Sequence, residues 1–157
     1  MGETEVDESV TIDAPAEAVW AVVSDPANYP RFSPEASAVR RTKGSGPWQV
    51  GDVFVGTNKL WVRWVTRCTI VRREEGTEFA FDVDFGPLPV ARWSYEVQPA
   101  ADGTTLLTER WIDRRLGIRG ALVKPAGMLV GRGTNAAEHN RAGMRTTLER
   151  IRADLVG

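Results

Sequence analysis

The sequence predicts an α+β fold: a seven-stranded antiparallel sheet, two short helices after its first strand, and one long helix at the C-terminal end. Three observations predict it. Apolar and polar residues alternate in seven segments, the period of a strand with one buried face. The separators between them carry Gly, Pro, Asn and Asp, the turn chemistry of antiparallel connections. The last part of the chain then changes to helical spacing.

The first strand is marked by Val6, Val10 and Ile12 with polar residues between them, and it stops at Ala14-Pro15. Pro15 suits a first helical turn, Asp13 is placed to cap it, and Glu17 suits the positive helix end. Ala16, Val19, Trp20 and Val23 then form one apolar stripe, so a short amphipathic helix follows. Asp25-Pro26 breaks it, and Asn28 to Pro34 has room only for a turn or a second short helix. Strands are expected near residues 36–43, 50–58, 60–72, 77–85, 90–98 and 104–112. The turns between them are Gly44-Ser45-Gly46-Pro47, Asn58-Lys59, Glu74-Glu75-Gly76, Gly86-Pro87-Leu88-Pro89 and Ala101-Asp102-Gly103.

After Asp113 a stretch containing Gly and Arg runs to Gly133, with helical turns expected near Ala121 to Val130. Thr134 or Asn135 can cap the long helix, on which Ala137, Asn140, Met144, Leu148, Ile151 and Leu155 recur at helical spacing. A sheet with one apolar face must be covered, and only this last helix is long enough to do it.

Composition narrows the function classes. The 157 residues are 42% apolar and 26% charged, with six Trp, one Cys and one His. That length supports one core without staples, so residues 1–157 are read as a single domain. Cys68 alone cannot close an intrachain disulfide, and Cys68 with His139 cannot make a Cys/His zinc site. Neither a metal nor a cofactor is expected. Residues 1–38 hold eight acidic groups against Arg31, while residues 110–157 hold ten basic and four acidic groups. The basic groups lack an interleaved aromatic patch, which argues against a nucleic-acid partner. No apolar run approaches the roughly 18 residues of a membrane span, and the acidic start is the opposite of a secretory signal. A cytoplasmic protein without integral membrane association, monomeric or homodimeric, is expected.

Several segments together resemble one family across nearly the whole chain. They are Ile12-Asp-Ala-Pro-Ala-Glu-Ala-Val-Trp20, Asp25-Pro26, Tyr29-Pro-Arg-Phe-Ser-Pro-Glu35, Val50 to Asn58, Arg92-Trp-Ser-Tyr95, Gly103-Thr104, and Gly143-Met144 through Leu148-Glu149-Arg150. They are similar to the START/SRPBCC helix-grip superfamily, and within it to the bacterial polyketide cyclase/dehydrase-like branch. The resemblance implies a curved sheet gripping the C-terminal helix, with a deep, mostly apolar cavity between them. It implies binding of lipids, sterols, polyketides or other hydrophobic molecules, and in some members aromatisation or cyclisation. It transfers no catalytic set.

Strand parity gives the cavity a candidate lining. Leu60, Val62, Trp64, Thr66, Cys68 and Ile70 share a face opposite Arg63 and Arg67; Phe79, Phe81, Val83 and Phe85 oppose Glu78, Asp82 and Asp84; Ala91, Trp93, Tyr95 and Val97 oppose Arg92, Glu96 and Gln98. Such rings can equally fill a packed core. The helix-grip geometry favours a cavity, because one helix cannot fill the inside of a long curved sheet. Phe54, Trp64, Phe79, Phe81, Trp93, Tyr95, Trp111, Asn140 and Met144 are the expected ligand-binding residues.

Polar residues on this face are candidates for chemistry. Asn140 sits on the inward helix stripe and can meet either a backbone group or a ligand. Glu109 shares parity with Leu107 and Trp111, yet Leu106, Arg110 and Ile112 opposite are also partly apolar, so parity leaves its facing open. Pointing inward without a partner, Glu109 would rise in pKa toward an acid or base; an Arg partner would make it a structural ion pair, the expected case. Glu8 is expected to be solvated, His139 to flank the cavity edge, and Cys68 to be a buried hydrophobe. The segment from Arg114 to Gly133 reads as a lid or binding loop with a hinge at Gly131-Arg132-Gly133, its cations Arg114, Arg115, Arg119 and Lys124 steering an acidic ligand. The expected function is binding or carriage of a hydrophobic small molecule. The alternatives are an aromatase/cyclase using Glu109 or His139, and an interaction module with a filled interior.

Overall fold

The computed structural model describes residues 4–115 and 136–157. Its elements are β1 (Glu5–Ile12), α1 (Ala16–Val23), a 3-10 turn (Pro26–Asn28) and α2 (Tyr29–Phe32). There follow β2 (Ala36–Lys43), β3 (Val53–Lys59), β4 (Arg63–Glu74), β5 (Glu78–Phe85), β6 (Leu88–Pro99), β7 (Thr105–Asp113) and α3 (Ala136–Val156). The strands form one antiparallel sheet in the order β1-β7-β6-β5-β4-β3-β2. Six sequential strands pair as a meander, and β1 closes onto β7 with Val6 opposite Trp111 and Val10 opposite Leu107. This is the expected α+β helix-grip architecture.

Local differences from expectation have local causes. Pro15, not Asp13, occupies the N-cap of α1, with extended backbone and no side-chain cap; its carbonyl accepts the Ala18 and Val19 N–H groups. Lys59 pairs with Arg63, so Leu60, Trp61 and Val62 form the β3–β4 turn and the expected inward strand positions of Leu60 and Val62 are not realised. The expected lid and its hinge, the helical turns within it, and a cap at Thr134 or Asn135 lie outside the described residues, except for Arg114 and Arg115.

Register shifts between Ala36 and Ala38, Arg41 and Lys43, Ile70 and Arg72, and Val83 and Asp84 interrupt the ladders. Bulges of this kind bend strands and increase twist, which curves the sheet. The long helix α3 packs chiefly on β1, with smaller contacts to β7, α2 and α1. It therefore covers one side of the concave face, while α1 packs on β6 and β7 and α2 on β2. Ile12, Val19, Phe79, Val97, Leu107, Leu148 and Ile151 fill the end beneath α1 and the C-terminal turns of α3. Val6, Ala91, Trp111, Ala136, Ala137 and Met144 form a second cluster under the first turns of α3. Among the described residues no helix is long and apolar enough to cross a membrane.

Candidate functional site

A cavity of about 380 Å³ lies between the sheet and α3. That volume falls within the roughly 300–1,000 Å³ of small-molecule sites and argues against a filled interior. Four strands supply aromatic walls: Phe54 from β3, Trp64 from β4, Phe81 from β5, and Trp93 with Tyr95 from β6. Each is placed by the two-residue period, which turns alternate side chains to the concave face while Arg92 and Asp82 pair on the convex one. From α3 come Asn140 and Met144, one turn apart on the same stripe, with His139 beside them.

Seven of the nine residues expected to bind ligand thus meet at one cavity. Phe79 and Trp111 do not line it. Phe79 packs edge-on against Trp20, with ring centroids 6.3 Å apart, and Trp111 lies under Ala136, Ala137 and Met144. Both have the right parity, but helices cover those stretches of the face.

The wall opposite β5 escaped sequence reasoning. Tyr29 and Pro34, around α2, and Val39 on β2 complete the cavity. Tyr29 stacks on Phe81 at 5.6 Å and 28°, and its hydroxyl donates to the Val23 carbonyl at 2.7 Å. The only signal for it was the Tyr-Pro-Arg-Phe segment, which marks a turn more clearly than a binding wall. Phe85 lines the cavity and is also 40% exposed, so it stands at the rim.

Glu109 faces inward and is 4% exposed. Its expected Arg partner is absent among the described contacts. Instead the Tyr95 hydroxyl donates to Glu109 Oε2 at 2.9 Å, while Oε1 has no hydrogen-bond partner. Burial pushes the carboxyl up to about 8, against the lowering effect of the Tyr95 bond, so Glu109 is mainly protonated at neutral pH. Burial, with the Glu109 charge next in weight, likewise pushes the Tyr95 and Tyr29 phenols well above their ordinary value. Asn140 is 3% exposed, and its Nδ2 also lacks a partner. Each such buried, unpaired group costs about 1–3 kcal/mol.

Other polar neighbours are already engaged. His139 Nε2 meets Glu35 Oε1, which ties α3 to the segment after α2. Arg115 bonds Asp113 through Nε at 2.9 Å and Nη2 at 3.1 Å, and Arg114 bonds Asp84 at 3.2 Å. These two arginines are thus held by carboxylates rather than presented to an acidic ligand. Glu8 is not simply solvated: Arg141 and Arg145 of α3 both donate to its carboxylate. Cys68 lines the cavity, and burial pushes its thiol up to about 12, which suppresses the nucleophilic thiolate. Among the described residues no group of three or more His, Cys, Asp or Glu is placed to hold a metal ion.

Known proteins place this geometry. The family model described as polyketide cyclase / dehydrase and lipid transport matches residues 3–156. The polyketide cyclase-like protein Cgl2372 from Corynebacterium glutamicum is 26% identical, with a TM-score of 0.62 over 97% of this chain and 91% of that one. DR_A0006 from Deinococcus radiodurans is 17% identical, with a TM-score of 0.65 over 97% of this chain and 96% of that one. DynU16, described as a putative protein of the dynemicin biosynthetic locus, is 16% identical, with a TM-score of 0.64 over 98% of this chain and 47% of that one. The latter two show the fold alone. No curated protein matches the sequence.

Proposed function

The chain belongs to the polyketide cyclase / dehydrase and lipid transport family, and from that premise we propose that it binds and carries a compact, hydrophobic, aromatic or polyketide-like molecule in the cavity under α3. The observation that carries this reading is the cavity itself, about 380 Å³ with walls of Tyr29, Phe54, Trp64, Phe81 and Trp93. Rings tolerate flat apolar ligands in several offsets and contribute large contact area at little entropic cost. Residues 1–157 act as one ligand-binding unit in the cytoplasm, as a monomer or homodimer and without nucleic acid.

Native mass spectrometry of the purified protein, with thermal shifts across a lipid and polyketide panel, tests the reading. Retention of an apolar ligand, or a shift that Val83→Trp abolishes by filling the cavity, is expected. No retained ligand and no shift with any member of the panel would overturn it.

Glu109 favours a second reading, a cyclase-type enzyme. A neutral buried carboxylic acid beside Tyr95 is suited to giving and taking a proton near neutral pH, and a cavity that holds a reactive chain in one conformer supplies much of the rate. Cyclisation of a poly-ketone substrate, lost in Glu109→Gln, is expected on this reading. Turnover unchanged in both Glu109→Gln and His139→Ala would leave it without an acid or base.

A further inference from the structure

The apolar cavity has a polar element that neither its shape nor its rings require. Glu109 stands on the sheet and Asn140 on α3, and both side chains form part of the cavity wall. Each is buried, and each keeps one polar atom without a partner, Glu109 Oε1 and Asn140 Nδ2. Buried polar groups in folded proteins are almost always paired, so two unpaired ones on the walls of one cavity require an explanation. Pairing within the protein supplies none: Glu109 Oε2 accepts from the Tyr95 hydroxyl, but Glu109 Oε1 and Asn140 Nδ2 meet no partner.

We propose that Glu109 and Asn140 are specificity-determining residues that recognise an uncharged acceptor oxygen, a ketone, on the otherwise apolar ligand. This inference rests on the reading of the cavity as a hydrophobic ligand site and adds the ligand's functional group to it. The chemistry follows from the donor inventory. Tyr95 already fills Glu109 Oε2, so a proton on the acid resides at Oε1, where it has no acceptor within the protein. Asn140 Nδ2 is a donor by nature. Two unfilled donors, one on each wall, call for an acceptor, and a ketone oxygen is an acceptor only.

The same wall disfavours a ligand carboxylate. Arg115, the buried cation among the described residues of the cavity wall, is bound through two nitrogens by Asp113. Arg63 reaches the cavity only from an exposed position. Among the described residues, a carboxylate seated beside Glu109 would lose its hydration without a free buried counter-charge.

Three small probes test this on the intact chain: tetralin, 1-tetralone and 1-naphthoate, followed at neutral pH by quenching of Trp fluorescence and by calorimetry. The ketone is expected to bind roughly tenfold more tightly than tetralin, the effect of one or two net hydrogen bonds, and naphthoate more weakly than the ketone. Glu109→Gln, which keeps an N–H donor, is expected to retain the preference. Glu109→Leu and Asn140→Leu are each expected to bring ketone and hydrocarbon within about twofold. Equal binding of tetralin and 1-tetralone by the unmodified protein would overturn the inference while leaving the hydrophobic site intact, and that comparison needs no variant to fold. A preference that survives in both Leu variants would overturn it too. If no probe binds, the ligand-cavity reading falls and the inference falls with it.

Discussion

Tyr95 and Glu109 are direct cross-strand partners on β6 and β7, and the Tyr95 hydroxyl donates to Glu109 Oε2 at 2.9 Å inside the cavity wall. One register position therefore sets an acid against a phenol, both buried, with a single hydrogen bond between them.

The first prediction concerns pH. Burial raises the folded Glu109 pKa to about 8, above the ordinary 4.5. Between those values the unfolded chain has released a proton that the folded chain retains, so stability falls as pH rises from about 4.5 to about 8 and levels off above. The slope from this group has an upper limit of roughly 1.4 kcal/mol per pH unit. Melting temperature against pH is expected to show this decline in the parent protein and a flatter profile in Glu109→Gln. Parallel profiles would count against a buried neutral acid.

The second concerns the seating of α3. Burial raises the Glu8 carboxyl, but hydrogen bonds and charge from Arg145 and Arg141 outweigh it and hold the group below its ordinary value. Because the partners are partly exposed, Glu8→Gln is expected to cost only about 0.5–1 kcal/mol at low salt, with the difference shrinking at high salt. Urea denaturation at the two ionic strengths measures both.

A third prediction addresses the turn before β3. Gly44 adopts φ +100°, and a Cβ there would collide with the Asp52 carboxylate that Arg41 binds. Gly44→Ala is expected to destabilise by about 1–3 kcal/mol, combining left-handed strain with displacement of Asp52. In Asp52→Ala the penalty should shrink toward the strain alone, a coupling that a double-mutant cycle reads directly.

The fourth tests Cys68. With its thiol raised to about 12 by burial, alkylation in the native state at mildly alkaline pH is expected to proceed only as fast as the protein opens. Labelling rate should rise with denaturant in step with unfolding. Prompt native-state labelling would show that the thiolate forms inside the cavity.

The sequence alone determined the order of the described elements, the inward faces of β4, β5 and β6 and the apolar stripe of α3, because these depend on two- and 3.6-residue periods that a chain carries locally. Trp64, Phe81, Trp93, Tyr95, Asn140 and Met144 were legible for that reason. Which stretch of a face stays open was not. Phe79 and Phe81 have identical parity, yet Trp20 covers one and a cavity lies before the other. Trp48, just after the Gly44–Pro47 turn, is buried with its indole N–H donated to Asp25 at 3.1 Å and Arg41 over its ring, partners that local periodicity does not indicate. Glu109 shows the division most sharply. Its position on β7 was readable, but whether it met an arginine or a tyrosine, and hence whether it is charged, depended on the register of β6. Pairing partners come from the sheet as a whole, and only the tertiary structure decided them.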